Sequence, residues 1–165
     1  MTKRIVLLQA LASTPNDLAL VLEGTEPAAA RRRPAADAWS IADVVNHLVD
    51  VEDRYRVRLQ RVLDEERPHL PYIHPDESKH EIDTPLSDLL ARFREAREAT
   101  LTLLKEVQPG EWQRKGVHEK QGEVSLRYLV QYLLDHDIQH LNQVVEIQQQ
   151  LRRVPPRDAQ PTIEP

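Results

Sequence analysis

The sequence has no cysteine, and only four of its 165 residues are glycine. The missing cysteine excludes disulfides, thiolate nucleophiles and cysteine-ligated zinc. Aromatic residues make up only 4% of the chain against 40% hydrophobic residues, a balance that favours helices over sheets. No apolar run approaches the ~20 residues of a membrane-spanning helix, and residues 5–12 are too short and too periodic for a signal peptide. We therefore expect a cytoplasmic protein with no membrane partner.

Positive charge is not in excess either. The chain carries 22 Lys and Arg against 27 Asp and Glu, a net charge of −5, so it shows no electrostatic footprint for nucleic acid. The run Arg31-Arg32-Arg33 could contact a phosphate, but it falls in a proline-containing stretch, residues 25–38, that is typical of a solvated loop. The charge pattern thus favours a small-molecule substrate over a nucleic-acid partner.

The hydrophobic periodicity predicts four long helical segments separated by proline-rich or polar stretches. The segments cover residues 3–24 with a break at Thr14-Pro15, 40–67 with Ser40 as N-cap, 84–108 capped by Thr84-Pro85, and 124–151 with Ser125 as N-cap. The intervening stretches, residues 68–83 and 111–123, lack a period and are predicted to be loops.

Each of these helices has a single apolar face, which has to meet another in water. A fully buried Leu or Val contributes about 1.5–3 kcal/mol, so the faces should pack together. We expect an all-α four-helix bundle, with residues 1–153 as a single domain and residues 154–165 as a proline-rich tail.

Three histidines lie on the predicted helices. His136 and His140 are one turn apart on the fourth helix and project from the same side, while His47 lies at the core edge of the second. If these two helices are neighbours, three neutral imidazoles with an open fourth position would match a catalytic zinc-type site, and nickel or another divalent metal would also fit. The alternative is that each histidine is a packed residue satisfied by a hydrogen bond.

Two carboxylates fall within apolar faces, Glu52 on the second helix and Asp137 on the fourth. Because a carboxylate is rarely buried unpaired, either could orient a ligating imidazole or act as a general base. Asp50, one turn after His47, is a third candidate. The alternative for each is an ion pair with one of the many arginines.

The string from His136 to His140, H-D-I-Q-H, also resembles the H-E-x-x-H motif of zinc proteases. Asp is one methylene shorter than the Glu that serves as general base there, and no third ligand follows in the manner of those enzymes. His118, in the 111–123 stretch, is either a proton carrier near the site or a solvated loop residue.

The order and spacing of several short motifs resemble the DinB family over nearly the whole chain. These motifs are Thr14-Pro15, Trp39-Ser40 leading to His47 and Asp50, Trp112 before His118 and Gly122, Ser125-Leu126, and His136 and His140 followed by Gln143. The resemblance implies a bundle with up-down-down-up order, a metal held by His47, His136 and His140, and a homodimer. Family members of known activity use a low-molecular-weight thiol, as thiol S-transferases or as a thiol-dependent isomerase.

Three hypotheses about function follow. In the first, the protein is a metal-dependent enzyme, a thiol-dependent S-transferase or hydrolase, whose metal activates a thiol or a water. Because the chain has no cysteine, any thiol must come from a cofactor or substrate, and the loops 68–83 and 111–123 would set specificity. The second is a non-enzymatic stress or binding protein with a structural metal, and the third is a metal-free bundle.

Overall fold

The computed structural model describes residues 3–73 and 83–153. The helices are α1 (Arg4–Val21), the short α2 (Pro27–Arg31), α3 (Ile41–Asp64), α4 (Leu86–Glu106) and α5 (Leu126–Arg153), and the strands are β1 (His69–Leu70), β2 (Lys115–His118) and β3 (Gly122–Ser125). None of the helices in these ranges is long and apolar enough to cross a bilayer. The predicted tail, residues 154–165, lies outside the described residues, as do residues 74–82 of the predicted 68–83 loop, which include His74 and His80.

The four long helices form the expected bundle with up-down-down-up order. Helix α3 packs against α4 and α5, and α1 packs against the same two helices. One buried cluster contains Leu7, Leu11, Leu59, Val62, Leu104, Leu129 and Leu133. The other contains Leu18, Leu22, Val44, Val45, Leu89, Phe93, Val144 and Ile147. The first cluster joins the N-terminal halves of α1 and α5 to the C-terminal halves of α3 and α4, and the second cluster joins the opposite halves. Helices α3 and α4 therefore run parallel to each other and antiparallel to α1 and α5.

Two of the predicted helix starts are confirmed by their caps. The Ser40 hydroxyl accepts a hydrogen bond from Asp43 N–H at 3.1 Å, and the Asp43 carboxylate accepts from Ser40 N–H at 2.8 Å, a complete capping box. Ser125 Oγ accepts from Tyr128 N–H at 3.1 Å. The helix α5 begins at Leu126, two residues later than predicted, because residues 122–125 form β3. At the start of α4 the prediction was wrong, since Pro85 takes the N-cap position without a side-chain hydrogen bond.

The predicted break at Thr14-Pro15 is also wrong, because α1 runs through Pro15 as one helix of 18 residues. A proline inside a helix removes the hydrogen bond to the carbonyl four residues earlier, here that of Leu11. That carbonyl oxygen lies 3.1 Å from Thr14 Oγ1 and accepts a hydrogen bond from Arg97 Nη1 at 3.2 Å. Side chains therefore replace the missing backbone donor, and the helix continues.

Arg97 joins all four long helices through one buried network. On α3, the two Glu52 oxygens accept from Arg97 Nε at 3.0 Å and from Nη2 at 2.6 Å. On α5, Asp137 Oδ2 lies 2.7 Å from Nη2, and on α1 the Thr14 hydroxyl lies 3.2 Å from Nη1 and 3.0 Å from Asp137 Oδ2. The side chains of Arg97 and Glu52 are 1% and 0% exposed. The network satisfies a buried guanidinium with two carboxylates.

The stretches predicted as loops contain a small three-stranded sheet in the order β1-β2-β3. The strand β1 pairs in parallel with β2, with His69 opposite Val117, and β2 pairs antiparallel with β3. A Cβ on Gly116 would lie 2.8 Å from Leu70 Cδ1 and 3.2 Å from the Pro68 carbonyl oxygen, so a larger residue would force the buried Leu70 side chain to shift. The sheet fixes the residues that follow β1 and β2 over one end of the gap between α3 and α5.

Replacing Arg97 with Met should lower the free energy of unfolding by about 3–5 kcal/mol, because Glu52 and Asp137 would stay buried without their counter-charge. Urea titration followed by circular dichroism measures this change. Arg94→Met is the matched control, since Arg94 is exposed one turn earlier and donates a hydrogen bond to Asn16 Oδ1 at 3.3 Å; it should cost less than about 1 kcal/mol. Equal losses in both variants would show that the network does not stabilise the fold.

Candidate metal centre

The three helix histidines converge between α3 and α5. His136 Nε2 lies 3.1 Å from His47 Nε2 and 3.1 Å from His140 Nε2, and one ligand atom from each ring lies within 4.8 Å of the others. Two nitrogens bound to one tetrahedral ion at ~2.05 Å would be ~3.3 Å apart, so the observed spacing is close to that of a metal site. Within the described ranges, these three form the only cluster of this kind.

The protonation of the rings also suits a cation. Burial lowers the pKa of His47 to about 4 and the pKa of His136 to about 3, and it lowers the pKa of His140 as well. Each imidazole is therefore neutral at pH 7 and has one nitrogen lone pair to offer. Three neutral imidazoles are the donor set of many catalytic zinc sites, so the residues fit a divalent cation.

Neighbouring side chains fix the orientation of His140. Its Nδ1 lies 2.6 Å from Gln143 Oε1, and because an amide oxygen can only accept, Nδ1 carries the proton. The lone pair of His140 is then on Nε2, which faces His136. Trp39 stacks parallel to the His140 ring at a centroid distance of 6.0 Å and meets the edge of His47 at 4.9 Å. These contacts restrict two of the three rings before any ligand binds.

The three carboxylate candidates have other partners. Asp50 is half-buried and pairs with Arg54 at 3.0 Å, while its charge raises the pKa of His47 against the effect of burial. Glu52 and Asp137 both bind Arg97, which is the ion-pair alternative of the sequence analysis. Burial raises the pKa of Asp137 to about 6. Among the described residues, Asp137 Oδ1 and His136 Nδ1 are buried without a hydrogen-bond partner.

A cavity of about 160 Å³ opens beside His47 and His136. Its walls come from one face of α3, one face of α5 and the segments after β1 and β2. The lining residues are His47, Val51, Tyr55, Arg58, Tyr72, Ile73, His118, Lys120, Gln121, Tyr132 and His136. A ligand in this cavity would therefore be adjacent to two of the three histidines.

His118 is a buried wall of this cavity, not a solvated loop residue, with 7% of its surface exposed. Its Nδ1 accepts from the backbone N–H groups of Lys120 at 3.2 Å and Gln121 at 3.3 Å. The proton of the neutral ring therefore lies on Nε2. Burial lowers the pKa of His118, and the nearby Arg58 charge lowers it further. At neutral pH the donor of this cavity-lining ring is therefore Nε2.

The aromatic and cationic walls of the cavity were not predicted from the sequence. Tyr55, Arg58 and Tyr132 were not identified as candidate site residues. The helical spacing could have identified the two tyrosines, because Tyr55 lies two turns from His47 and Tyr132 lies one turn from His136, on the faces that carry the histidines. The rings of Tyr55 and Tyr132 stack at a centroid distance of 5.9 Å.

Comparison with known proteins identifies the same fold and family. A family model described as the DinB superfamily matches residues 10–144. The chain is similar in structure to YfiT from Bacillus subtilis, described as a probable metal-dependent hydrolase with an unusual four-helix bundle topology, with 19% identity, a TM-score of 0.80, and coverage of 90% of this chain and 89% of that one. A conserved protein from Enterococcus faecalis gives 16% identity, a TM-score of 0.71, and coverage of 93% and 99%. No curated protein matches the sequence.

The ring of His118 should remain neutral at pH 6.5 with its proton on Nε2, because burial and the Arg58 charge both disfavour the imidazolium. Long-range ¹H–¹⁵N correlation spectra of the histidine rings over a pH series measure both the tautomer and the pKa. Arg58→Gln should raise the pKa of His118 towards its ordinary value. A ring protonated on Nδ1, or a pKa above 6.5, would contradict this assignment.

Proposed function

This chain belongs to the DinB superfamily, and we propose that it is a metal-dependent enzyme that binds a divalent cation through His47, His136 and His140. The observation that carries the proposal is the convergence of three imidazole nitrogens beside a cavity. The likeness to YfiT supports a hydrolase. The DinB resemblance supports a thiol-dependent S-transferase, in which the thiol belongs to a small molecule because the chain has no cysteine.

The side chains around the cavity have separate roles in this proposal. Bound there, a divalent cation would supply Lewis acidity, which lowers the pKa of a water or thiol that reaches it. Gln143 holds His140 with its lone pair inwards, and Trp39 packs against two of the ligating rings. His118 would donate a hydrogen bond from Nε2 to an oxygen of the substrate, and the tyrosine rings would exclude water from its apolar part.

A purely structural metal is less consistent with the geometry. A structural zinc site is normally closed by a fourth protein ligand, whereas the cluster contains three ligand residues within the described ranges. His69, the one histidine of the predicted 68–83 loop that lies within the described residues, is exposed on β1. The cavity beside His47 and His136 gives an exchangeable ligand access to the site, as catalysis requires.

Protein purified without a histidine tag should contain about one equivalent of a divalent metal, with zinc and nickel the first to be sought. His47→Gln and His136→Gln should each abolish stoichiometric binding, because two imidazoles hold an ion far more weakly than three. Elemental analysis by mass spectrometry gives the metal content, and the rise in melting temperature on adding zinc to metal-free protein gives a second measurement. His69→Gln is the control and should bind metal normally. Retention of metal by both cluster variants would refute the assigned ligands.

Gln143→Leu should weaken metal binding by about 10–100-fold, because it removes the acceptor that fixes the His140 ring. Competition with a chromogenic chelator measures the metal dissociation constant. Gln139→Leu, an exposed position on the same helix, is the matched control and should leave the constant unchanged. An unaltered constant in Gln143→Leu would mean that the hydrogen bond does not position the ring.

Catalysis itself is tested by loading the protein with zinc or nickel and assaying two reactions. One is hydrolysis of simple ester and amide probes, and the other is conjugation of chlorodinitrobenzene with small thiols. His140→Ala should lose the activity while its circular dichroism spectrum stays that of the wild type. If the loaded wild type is as inactive as His140→Ala across both probe sets, the hypothesis of a binding protein with a structural metal is favoured instead.

A further inference from the structure

A second buried arginine lies in the cavity, and it has no counter-charge among the described residues. Arg58 is 5% exposed; it donates to the carbonyl of Pro71, and its guanidinium lies 5.1 Å from the centre of the Tyr55 ring. No carboxylate within residues 3–73 and 83–153 forms an ion pair with it. Arg97, the other buried arginine, binds two carboxylates. The contrast indicates that Arg58 pairs with an anion from a bound ligand.

Burying a charge without a counter-charge is costly. Burial lowers the pKa of Arg58, and the tyrosine hydroxyl beside it offsets only part of the effect. A carbonyl oxygen and an aromatic ring satisfy some of the five N–H donors of the guanidinium, but they do not neutralise it. An anion bound in the cavity would supply both the missing charge and the remaining acceptors.

A second cation lies at the rim of the same cavity. Lys120 is exposed, and its Nζ lies 3.4 Å from the centre of the Tyr72 ring, a cation–π contact. The nearest acid in sequence, Glu119, is exposed, accepts from Tyr72 N–H at 2.7 Å and is not part of the cavity wall. The lining residues therefore include two cations, Arg58 and Lys120, and no carboxylate.

The remaining walls indicate a flat apolar body. The stacked rings of Tyr55 and Tyr132 line one side, and the volume of about 160 Å³ is near the ~150 Å³ of a cavity that binds benzene. Along α3, Tyr55 lies between His47 and Arg58, so Arg58 lines one end of the cavity and His47 lines the other.

We propose that this cavity binds a small organic carboxylate with an apolar body about the size of one aromatic ring. Its carboxylate pairs with Arg58, Lys120 closes the rim, and its body extends past Tyr55 and Tyr132 towards His47. This inference rests on the proposed function in that the histidines would act on the end of the molecule opposite the carboxylate. The carboxylate thus anchors the substrate and is not the group that reacts.

Binding of benzoate and of its neutral analogue benzamide, measured by isothermal titration calorimetry on metal-free and on zinc-loaded protein, tests the proposal. Benzoate should bind both forms, at least tenfold more tightly than benzamide. Arg58→Gln should weaken benzoate binding by about tenfold or more, because a charge-assisted hydrogen bond is lost, and should leave benzamide binding nearly unchanged. Arg58→Lys should recover part of the difference.

Arg56→Gln is the matched control, since Arg56 lies two residues earlier on α3 and pairs with Asp53 at 2.8 Å; benzoate affinity should stay within twofold. Lys120→Gln changes an exposed side chain, so it tests the cationic rim even if Arg58→Gln fails to fold, and it should weaken benzoate by about two- to fivefold.

The outcome separates this inference from the metal assignment. Benzoate that binds only the zinc-loaded protein, with no effect of Arg58→Gln or Lys120→Gln, would place its carboxylate on the metal and overturn the proposal while leaving the metal centre intact. Binding to metal-free protein that depends on Arg58 supports it even if no turnover is found. Equal affinity for benzoate and benzamide would also refute it.

Discussion

The guanidinium of Arg97 is the contact on which the arrangement of this molecule depends. Hydrophobic faces attract each other without direction, so a bundle held by leucine and valine alone can shift by a turn at modest cost. Arg97 removes that freedom, because its donors meet Glu52 of α3, Asp137 of α5 and Thr14 of α1 at hydrogen-bonding distances. We infer that this network sets the register of the helices, a role buried polar groups have in other helical assemblies.

The register has a direct consequence for the metal centre. Glu52 lies five residues after His47, and Asp137 directly follows His136, so the network that joins α3 to α5 also fixes the relative height of these two histidines. A slip of one turn would move His47 about 5.4 Å along the bundle, which exceeds the 3.1 Å between its Nε2 and that of His136. The ion-pair network therefore supports the site without contacting the open side of the cavity.

The bundle core around Arg97 and the cavity beside the histidines differ in the charges of their side chains. In the core, the buried carboxylates of Glu52 and Asp137 pair with Arg97. The cavity beside the histidines is lined by neutral imidazoles, tyrosines and two cations, with no carboxylate among the described residues that line it. Neutral nitrogen donors suit a divalent cation, and cations at the far end suit an anionic ligand. The similar structures from Bacillus subtilis and Enterococcus faecalis share only 19% and 16% identity with the chain, so their likeness establishes the bundle, and the cavity walls must be judged from this chain's own residues.

The sequence by itself determined the four helical segments, their apolar faces and the pairing of His136 with His140, because periodicity and i,i+4 spacing are local properties. With the family resemblance it also indicated the order of the helices and the third histidine, His47. It could not show that α1 continues through Pro15, since the side chain that donates to the freed Leu11 carbonyl is that of Arg97, 86 residues after Leu11. Nor could it show that Glu52 and Asp137 share one arginine while Arg58 has none within the described residues, or that His118 is buried. Only the tertiary structure decided these points, because ion pairing, burial and cavity walls depend on which distant side chains the packing of the helices brings together.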